Sequence, residues 1–276
     1  MELLRAALIQ HEVGENVEEN LERAAAGVAE AAKNGAGIAV LPEMFCCLYM
    51  KKSFIKNKEP AGGHIWQRLR AMAAENRIYL VGGTMPELDG ENIYNTCFVF
   101  SPEGEQIARH RKVHLFDIDV EGGQRFFESD TFTPGDSVTV FDSPWGKIGV
   151  EICFDIRFQE LARLTALEGA RLIVIPAAFN MTTGPAHWEL HFRARAVDNQ
   201  VFMLGCAPAR DENGPYISYG NSIATDPWGR VIERIDEKPG ILYADIDLSQ
   251  VESIRRQLPI MKNRRTDLYT LSYTGK

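Results

Sequence analysis

The 276-residue chain has no apolar run approaching the ~20 residues that cross a bilayer as a helix, which argues against a membrane partner. It has no Cys-x-x-Cys pair, and its five cysteines are an odd number, so a disulfide framework is not expected and a reducing compartment is. It lacks a Lys/Arg cluster interleaved with aromatics and carries a net charge of −8, so no nucleic-acid partner is expected either. The glycine pairs Gly82-Gly83 and Gly122-Gly123 match neither a dinucleotide fingerprint nor a phosphate loop, and no cofactor is implied. His187 and His191 are four apart, but the acid between them, Glu189, is not where a His-Glu-x-x-His zinc motif needs it, so no metal is expected. Met1 leads straight into an apolar strand-like stretch without the basic and apolar regions of a signal peptide, and the expected location is cytoplasmic.

What is present is an alternating pattern of short apolar runs and amphipathic stretches. Periodicity predicts strands over 3–9, 38–41 and 78–82 and helices over 17–33 and 65–75, the first helix with Leu21, Ala25, Val28 and Ala32 on one face. Runs 94–100 and 106–110 flank Ser101-Pro102-Glu103-Gly104, whose Pro and Gly suit the second and fourth places of a type I turn, so a hairpin is expected. Ser143-Pro144-Trp145-Gly146 and Asp226-Pro227-Trp228-Gly229 repeat that chemistry between strands 138–142 and 147–152 and between strands 222–225 and 230–235. Helices at 158–168 and 188–199 and strands at 172–176 and 201–205 lie between these two hairpins. Two βαβ-rich halves with hairpins imply mixed sheets with helices on their outer faces, an α/β fold. No Gly/Ser/Pro-rich linker separates the halves, so residues 1–276 are expected to form one domain.

Cys153 ends the β-run Lys147-Ile148-Gly149-Val150-Glu151-Ile152 just before a helix-like segment. At such a junction a thiol is expected to be presented rather than buried, with free backbone N–H groups nearby, which is the setting of a nucleophile. An ordinary thiol is only a few per cent ionised at neutral pH and needs a base or a cation beside it. Glu43, after the apolar run that ends Leu41-Pro42, and Lys112, after a hairpin strand, each stand at a strand end. Hydrolysis of a carboxamide needs a nucleophile, a proton acceptor, a proton donor for the amine, and groups that hold the oxyanion. Cys153, Glu43 and Lys112 together with the N–H of Phe154 fill those roles. Cys97 and Cys206 lie inside strand-like runs and are assigned to packing, while Cys46 and Cys47 are candidates for a pocket wall. His110 and His114 bracket Lys112 but are expected on different surfaces, as a strand gives way to a loop between them.

The stretches Leu41-Pro42-Glu43-Met44-Phe45, Arg111-Lys112-Val113-His114-Leu115-Phe116-Asp117 and Gly149-Val150-Glu151-Ile152-Cys153-Phe154-Asp155-Ile156-Arg157-Phe158 resemble the Glu, Lys and Cys motifs of the nitrilase-like carbon-nitrogen hydrolases, in that family's order. The likeness runs from Leu3 to about Tyr269. It implies a four-layer αββα sandwich, cysteine-dependent hydrolysis of a small-molecule amide or nitrile without a metal, and a homodimer. The tail from about residue 256 is then expected at the dimer interface. Within the family, residues 114–120, 179–189 and 193–200 are most similar to the ω-amidase branch, which acts on 2-oxoglutaramate and 2-oxosuccinamate. The same resemblance makes Glu128 a second glutamate that orients the lysine, and gives Tyr49, Thr182 and Thr183 places in the acyl pocket, with Arg157 as a cationic partner for the distal carboxylate of succinamate and its relatives. The loop after Glu43 departs from that branch: Cys46-Cys47 precede Tyr49, which lacks the flanking Pro and Gly, so the loop is expected to take its own path. Other readings are a deaminated-glutathione amidase, an N-carbamoyl-amino-acid hydrolase or a nitrilase of the same family, and from another class an inactive binding subunit.

Overall fold

The computed structural model describes residues 3–275. Its first half contributes β1 (Leu4–Gln10), α1 (Val17–Lys33), β2 (Ile38–Val40), α2 (Lys51–Asn57), α3 (His64–Asn76), β3 (Tyr79–Val81), β4 (Met85–Asp89), β5 (Asn92–Phe100) and β6 (Gln106–Arg111). A ribbon of β7 (Asp117–Asp119) and β8 (Arg125–Phe127) follows. The second half contributes β9 (Thr139–Ser143), β10 (Gly146–Val150), α4 (Gln159–Leu167), β11 (Leu172–Pro176), α5 (Gly184–Asn199), β12 (Phe202–Cys206), β13 (Ile223–Thr225) and β14 (Val231–Arg234), before β15 (Gly240–Ile246) and α6 (Ser249–Gln257).

Two large sheets result. One runs β15-β1-β2-β3-β5-β4, with β6 on the free edge of β5, and the other runs β14-β13-β12-β11-β10-β9. Each is parallel at its centre, β1-β2-β3 and β10-β11-β12, and antiparallel towards its edges, as expected of strands joined by both crossover helices and hairpins. The Ser101–Gly104 turn is closed by Gly104 N–H donating to Ser101 O at 2.9 Å, and it joins β5 to β6 as the sequence implies.

Side-chain alternation along the strands explains the layering. Ala6 and Leu8 of β1 share one buried cluster with Val99, Ile148, Val150 and Val174, filling the space between the sheets. Ala7 and Ile9 point the other way, into a second cluster with Leu21 and Val28 of α1 and Leu69 of α3. On the far side, Ala162 and Ala166 of α4 and Trp188, Phe192 and Ala196 of α5 cover the second sheet. Each large apolar side chain so buried contributes roughly 1.5–3 kcal/mol. The helices sit close because the sheet offers glycine beneath them: a Cβ at Gly205 would lie 2.2 Å from Phe192, and one at Gly149 would lie 2.2 Å from Thr165. The architecture is the αββα sandwich, with the carboxyl ends of β2 and β10 meeting between the sheets.

Candidate active site

Glu43 follows β2 on a turn that the chain can make only because Gly83 lies under it. Gly83 has φ +59°, and a Cβ there would lie 2.3 Å from Pro42 O. Met44, with a left-handed φ of 51°, completes the turn and donates its N–H to Thr84 Oγ1 at 2.8 Å. Gly83, from a pair that matches no nucleotide motif, thus shapes the Glu43 loop.

Lys112 extends the β6 ladder by one residue, its N–H donating to Asn95 O at 2.9 Å. Its side chain is fully buried between two carboxylates, with Nζ 2.8 Å from Glu43 Oε1 and 2.8 Å from Glu128 Oε2. Burial alone would lower the ammonium pKa, but the charges of Glu128 and Glu43 more than offset this and hold it above the usual lysine range. Glu128 is itself fixed by Tyr49 Oη at 2.8 Å, Asn95 Nδ2 at 3.1 Å and Phe116 N–H at 2.6 Å. Asn95 Nδ2 also donates to Glu43 Oε1 at 2.8 Å, so one amide bridges both acids. Among the described residues, Glu43 Oε2 is buried without a hydrogen-bond partner. Burial raises the Glu43 pKa while Lys112 opposes it, leaving a carboxylate with one oxygen free to take a proton.

Cys153 begins a 3₁₀ turn, Cys153–Arg157, with two residues between it and the end of β10, and has a left-handed φ of 45°. That conformation is costly for a non-glycine residue and is found where a nucleophile is lifted off a strand end. The expectation of a presented thiol needs correction, because Cys153 is only 4% exposed. The turn aims it into a small cavity lined by Phe116, Phe154, Arg157, Ala178, Phe179 and Thr183. Burial pushes the thiol pKa well above its usual range; the charge of Glu43 adds to this, and Lys112 and the Ala178 backbone oppose it.

Asp155 ties this turn to the lysine strand. Its fully buried carboxylate accepts from Ile152 N–H at 3.0 Å, His110 Nε2 at 3.2 Å, His114 N–H at 2.9 Å and His114 Nδ1 at 2.8 Å. Burial alone would raise its pKa, but the two histidines and the Ile152 amide hold it below the usual carboxylate range. His110 and His114 therefore do not lie on different surfaces, as their strand-then-loop spacing suggested. The chain bends after Lys112, and both rings converge on one carboxylate.

Of the pocket candidates, Phe154, Arg157 and Thr183 line the Cys153 cavity, whereas Thr182 is exposed and lies outside it. Thr183 opens α5, and its hydroxyl and N–H both face Asn180 Oδ1, at 3.3 Å and 3.1 Å. Tyr49 belongs with the carboxylates, with its Oη 3.5 Å from Glu43 Oε1, and its ring lies tilted against Tyr216 with centroids 4.7 Å apart. Tyr216 and Cys47 line a neighbouring depression with Glu43 and Tyr49. Arg157 lies over the rings of Phe154 and Phe179, at 5.5 Å and 5.0 Å. Its Nη1 faces His187 Nδ1 at 3.0 Å and His191 Nε2 at 3.1 Å, and its buried Nε has no partner among the described residues. Cys97 and Cys206 are fully buried, the latter with Sγ 3.2 Å from Val40 O, bridging the two sheets. Asn95, Asp155 and Tyr216 went unrecognised in the sequence. Asn95 alternates with core residues of β5 in a way that hints at an inward polar side chain, but nothing local marks its partners.

A buried acid and a buried cation beside a thiol on a strained strand-to-helix turn, held at the seam of an αββα sandwich, define a hydrolase with a cysteine nucleophile. The chain belongs to the carbon-nitrogen hydrolase family, whose model matches residues 5–256. It is 50% identical to the omega-amidase NIT2 of Mus musculus over 98% of both chains. Among solved structures it resembles Nit3 of Saccharomyces cerevisiae, described as a member of branch 10 of the nitrilase superfamily, at a TM-score of 0.88 and 41% identity, covering 96% of this chain and 97% of that one. An amidase from Nesterenkonia, solved with the acetamide moiety of fluoroacetamide covalently added at its active-site cysteine, matches at a TM-score of 0.78 and 25% identity over 96% of this chain and 95% of that one.

Proposed function

We propose that the protein releases ammonia from the terminal amide of short dicarboxylate monoamides such as 2-oxoglutaramate, 2-oxosuccinamate and succinamate. Cys153 Sγ attacks the amide carbon as Glu43 Oε2 takes the thiol proton; the C–N bond then breaks, the proton leaves with ammonia, and a thioester remains. Water, deprotonated by the same carboxylate, cleaves the thioester to give the free acid and restore the thiol. Lys112 and the N–H of Phe154 hold the oxyanion in both steps. Burial, with the charge of Glu43 beside it, outweighs Lys112 and disfavours a resting thiolate. Attack is therefore coupled to proton transfer, with Glu128, Tyr49 and Asn95 keeping the lysine and Glu43 in register.

The acyl specificity rests on Arg157. It is the one cation among the residues lining a cavity otherwise walled by aromatic rings, Ala178 and Thr183, and its Nε is buried unpaired. A carboxylate at the far end of the acyl chain would satisfy it, and a chain ending in methyl would leave it unpaired. The similarity to an omega-amidase supports the same substrates. The five free cysteines fit a cytoplasmic setting, and no helix among the described residues is long and apolar enough to cross a membrane. The chain is further proposed to act as one catalytic domain within a homodimer.

The test compares kcat/KM for succinamate and butyramide, whose acyl chains have the same length, by ammonia release. Succinamate is expected to be favoured by roughly 10²-fold, and Cys153→Ala to abolish turnover of both. Equal values, or faster ammonia release from a nitrile or a carbamoyl-amino acid, would move the chain to another branch of its family.

A further inference from the structure

Every hydrogen bond that the Arg157 side chain makes among the described residues runs from Nη1 to two imidazoles, His187 Nδ1 at 3.0 Å and His191 Nε2 at 3.1 Å. A guanidinium only donates, so both facing ring nitrogens are lone-pair acceptors. This places the ring proton of His187 on Nε2 and that of His191 on Nδ1. His191 is held neutral over a wide pH range, its pKa lowered to about 4 by burial and then by Arg157 and Arg195.

The two histidines stand one turn apart on α5 and face the same way. Arg195, the next residue in that row, donates from Nε to Ile156 O at 2.8 Å and from Nη2 to Arg157 O at 2.9 Å. One stripe of α5 thus holds Arg157 at its backbone and at its tip, while Phe154 and Phe179 lie against the guanidinium. The two hydrogens of Nη1 are taken up by the histidines. What remains is the edge formed by Nε and Nη2, the two parallel donors that pair side-on with a carboxylate.

We propose that His187 and His191 are positioning residues that fix Arg157 with its Nε–Nη2 edge towards the Cys153 cavity, and so set the preference for acyl chains ending in a carboxylate. The inference rests on the reading of Arg157 as the carboxylate partner. Without the histidines, Nη1 loses both acceptors and the guanidinium is free to rotate about its side chain, so that the two donors no longer meet the carboxylate together.

The experiment measures kcat and KM for succinamate and butyramide in the wild type, His187→Leu, His191→Leu, His187→Gln, His191→Gln and Arg157→Met. Each leucine variant is expected to lower the succinamate-to-butyramide ratio of kcat/KM by about 10-fold, the scale of a lost charge-assisted hydrogen bond, with the change in KM rather than kcat. Glutamine, whose amide oxygen accepts, is expected to recover most of the ratio. If the wild type prefers succinamate and Arg157→Met erases that preference while the leucine variants keep it, the positioning role is overturned and the carboxylate reading stands. If the wild type shows no preference, the carboxylate reading fails and the inference with it. Imidazole ¹⁵N spectra of the folded wild type provide a second measurement should the leucine variants not fold. They are expected to show protonated Nε2 on His187 and protonated Nδ1 on His191, and the opposite tautomer at either ring overturns the proposal.

Discussion

Glu43 is buried with one oxygen spent on Lys112 and Asn95 and the other unpaired among the described residues, and its proposed role as a base carries a pH signature. Burial raises its pKa above the usual carboxylate value of 4.5, with Lys112 holding the rise in check. A base works only when ionised, so activity should fall as pH drops through that raised value. The acid limb of kcat/KM for succinamate is expected above pH 4.5, and Glu43→Gln to lower turnover by about 10²-fold or more at every pH. A limb below pH 4 in a protein that stays folded there would show that Glu43 is not the base. Cys153, Lys112 and Glu43 could be picked out in the sequence because each ends a strand-like run, and chemistry gathers at strand ends in such sheets. Their burial could not. A thiol at a junction looks exposed until the second sheet and the aromatic rings of other segments close over it. Asp155 and Asn95 escaped notice for a related reason, since their partners lie 41–45 and 33–52 residues away in the chain.

The elements that sequence made legible are those whose own periodicity decides them. The helix expected over 17–33 is α1 itself, and 172–176 is β11, because a full amphipathic stripe or a continuous apolar run needs no distant partner to be recognised. The ribbon of β7 and β8 and the short strand β4 were not foreseen, as their runs are short, mix charged with apolar residues, and become strands only by pairing. Helix α5 starts at Gly184 rather than at 188, with Pro185 in its first turn, where a missing N–H does no harm. That extra turn brings Thr183 to the cavity and His187 onto Arg157. The seat of α5 on β12 should be equally sensitive. Phe192 is fully buried and has no room to move away from a Cβ at Gly205, so Gly205→Ala is expected to cost about 1–3 kcal/mol. Chemical denaturation measures this directly, and a variant as stable as the wild type would mean that the helix slides freely on its sheet.

At the scale of the whole molecule, the fold leaves apolar surface that its own layers do not cover. Leu190 and Val197 of α5 are 61% and 38% exposed, and in the tail Leu258, Leu268 and Tyr269 are 43%, 70% and 55% exposed. The tail is anchored at intervals on its own body: Gln200 Nε2 donates to Leu258 O at 2.5 Å, and Tyr273 Oη donates to Asp136 O. Between those anchors Met261 packs against the core while Leu268 and Tyr269 face outward, an arrangement that favours association over a solvated monomer. A second copy meeting this surface around a twofold axis would pair the same patch with itself, so the apolar residues of each tail would meet those of the other. An interface of the usual ~1,200–2,000 Å² would be ample to cover them. Light scattering at micromolar concentration is therefore expected to give twice the 30.9 kDa chain mass, and removal of the residues from Leu258 onward should weaken the dimer before it affects the fold. A mass near 30.9 kDa for the intact chain would exclude the dimer. A truncated chain that dimerised as tightly as the intact one would instead place the interface on α5 and away from the tail.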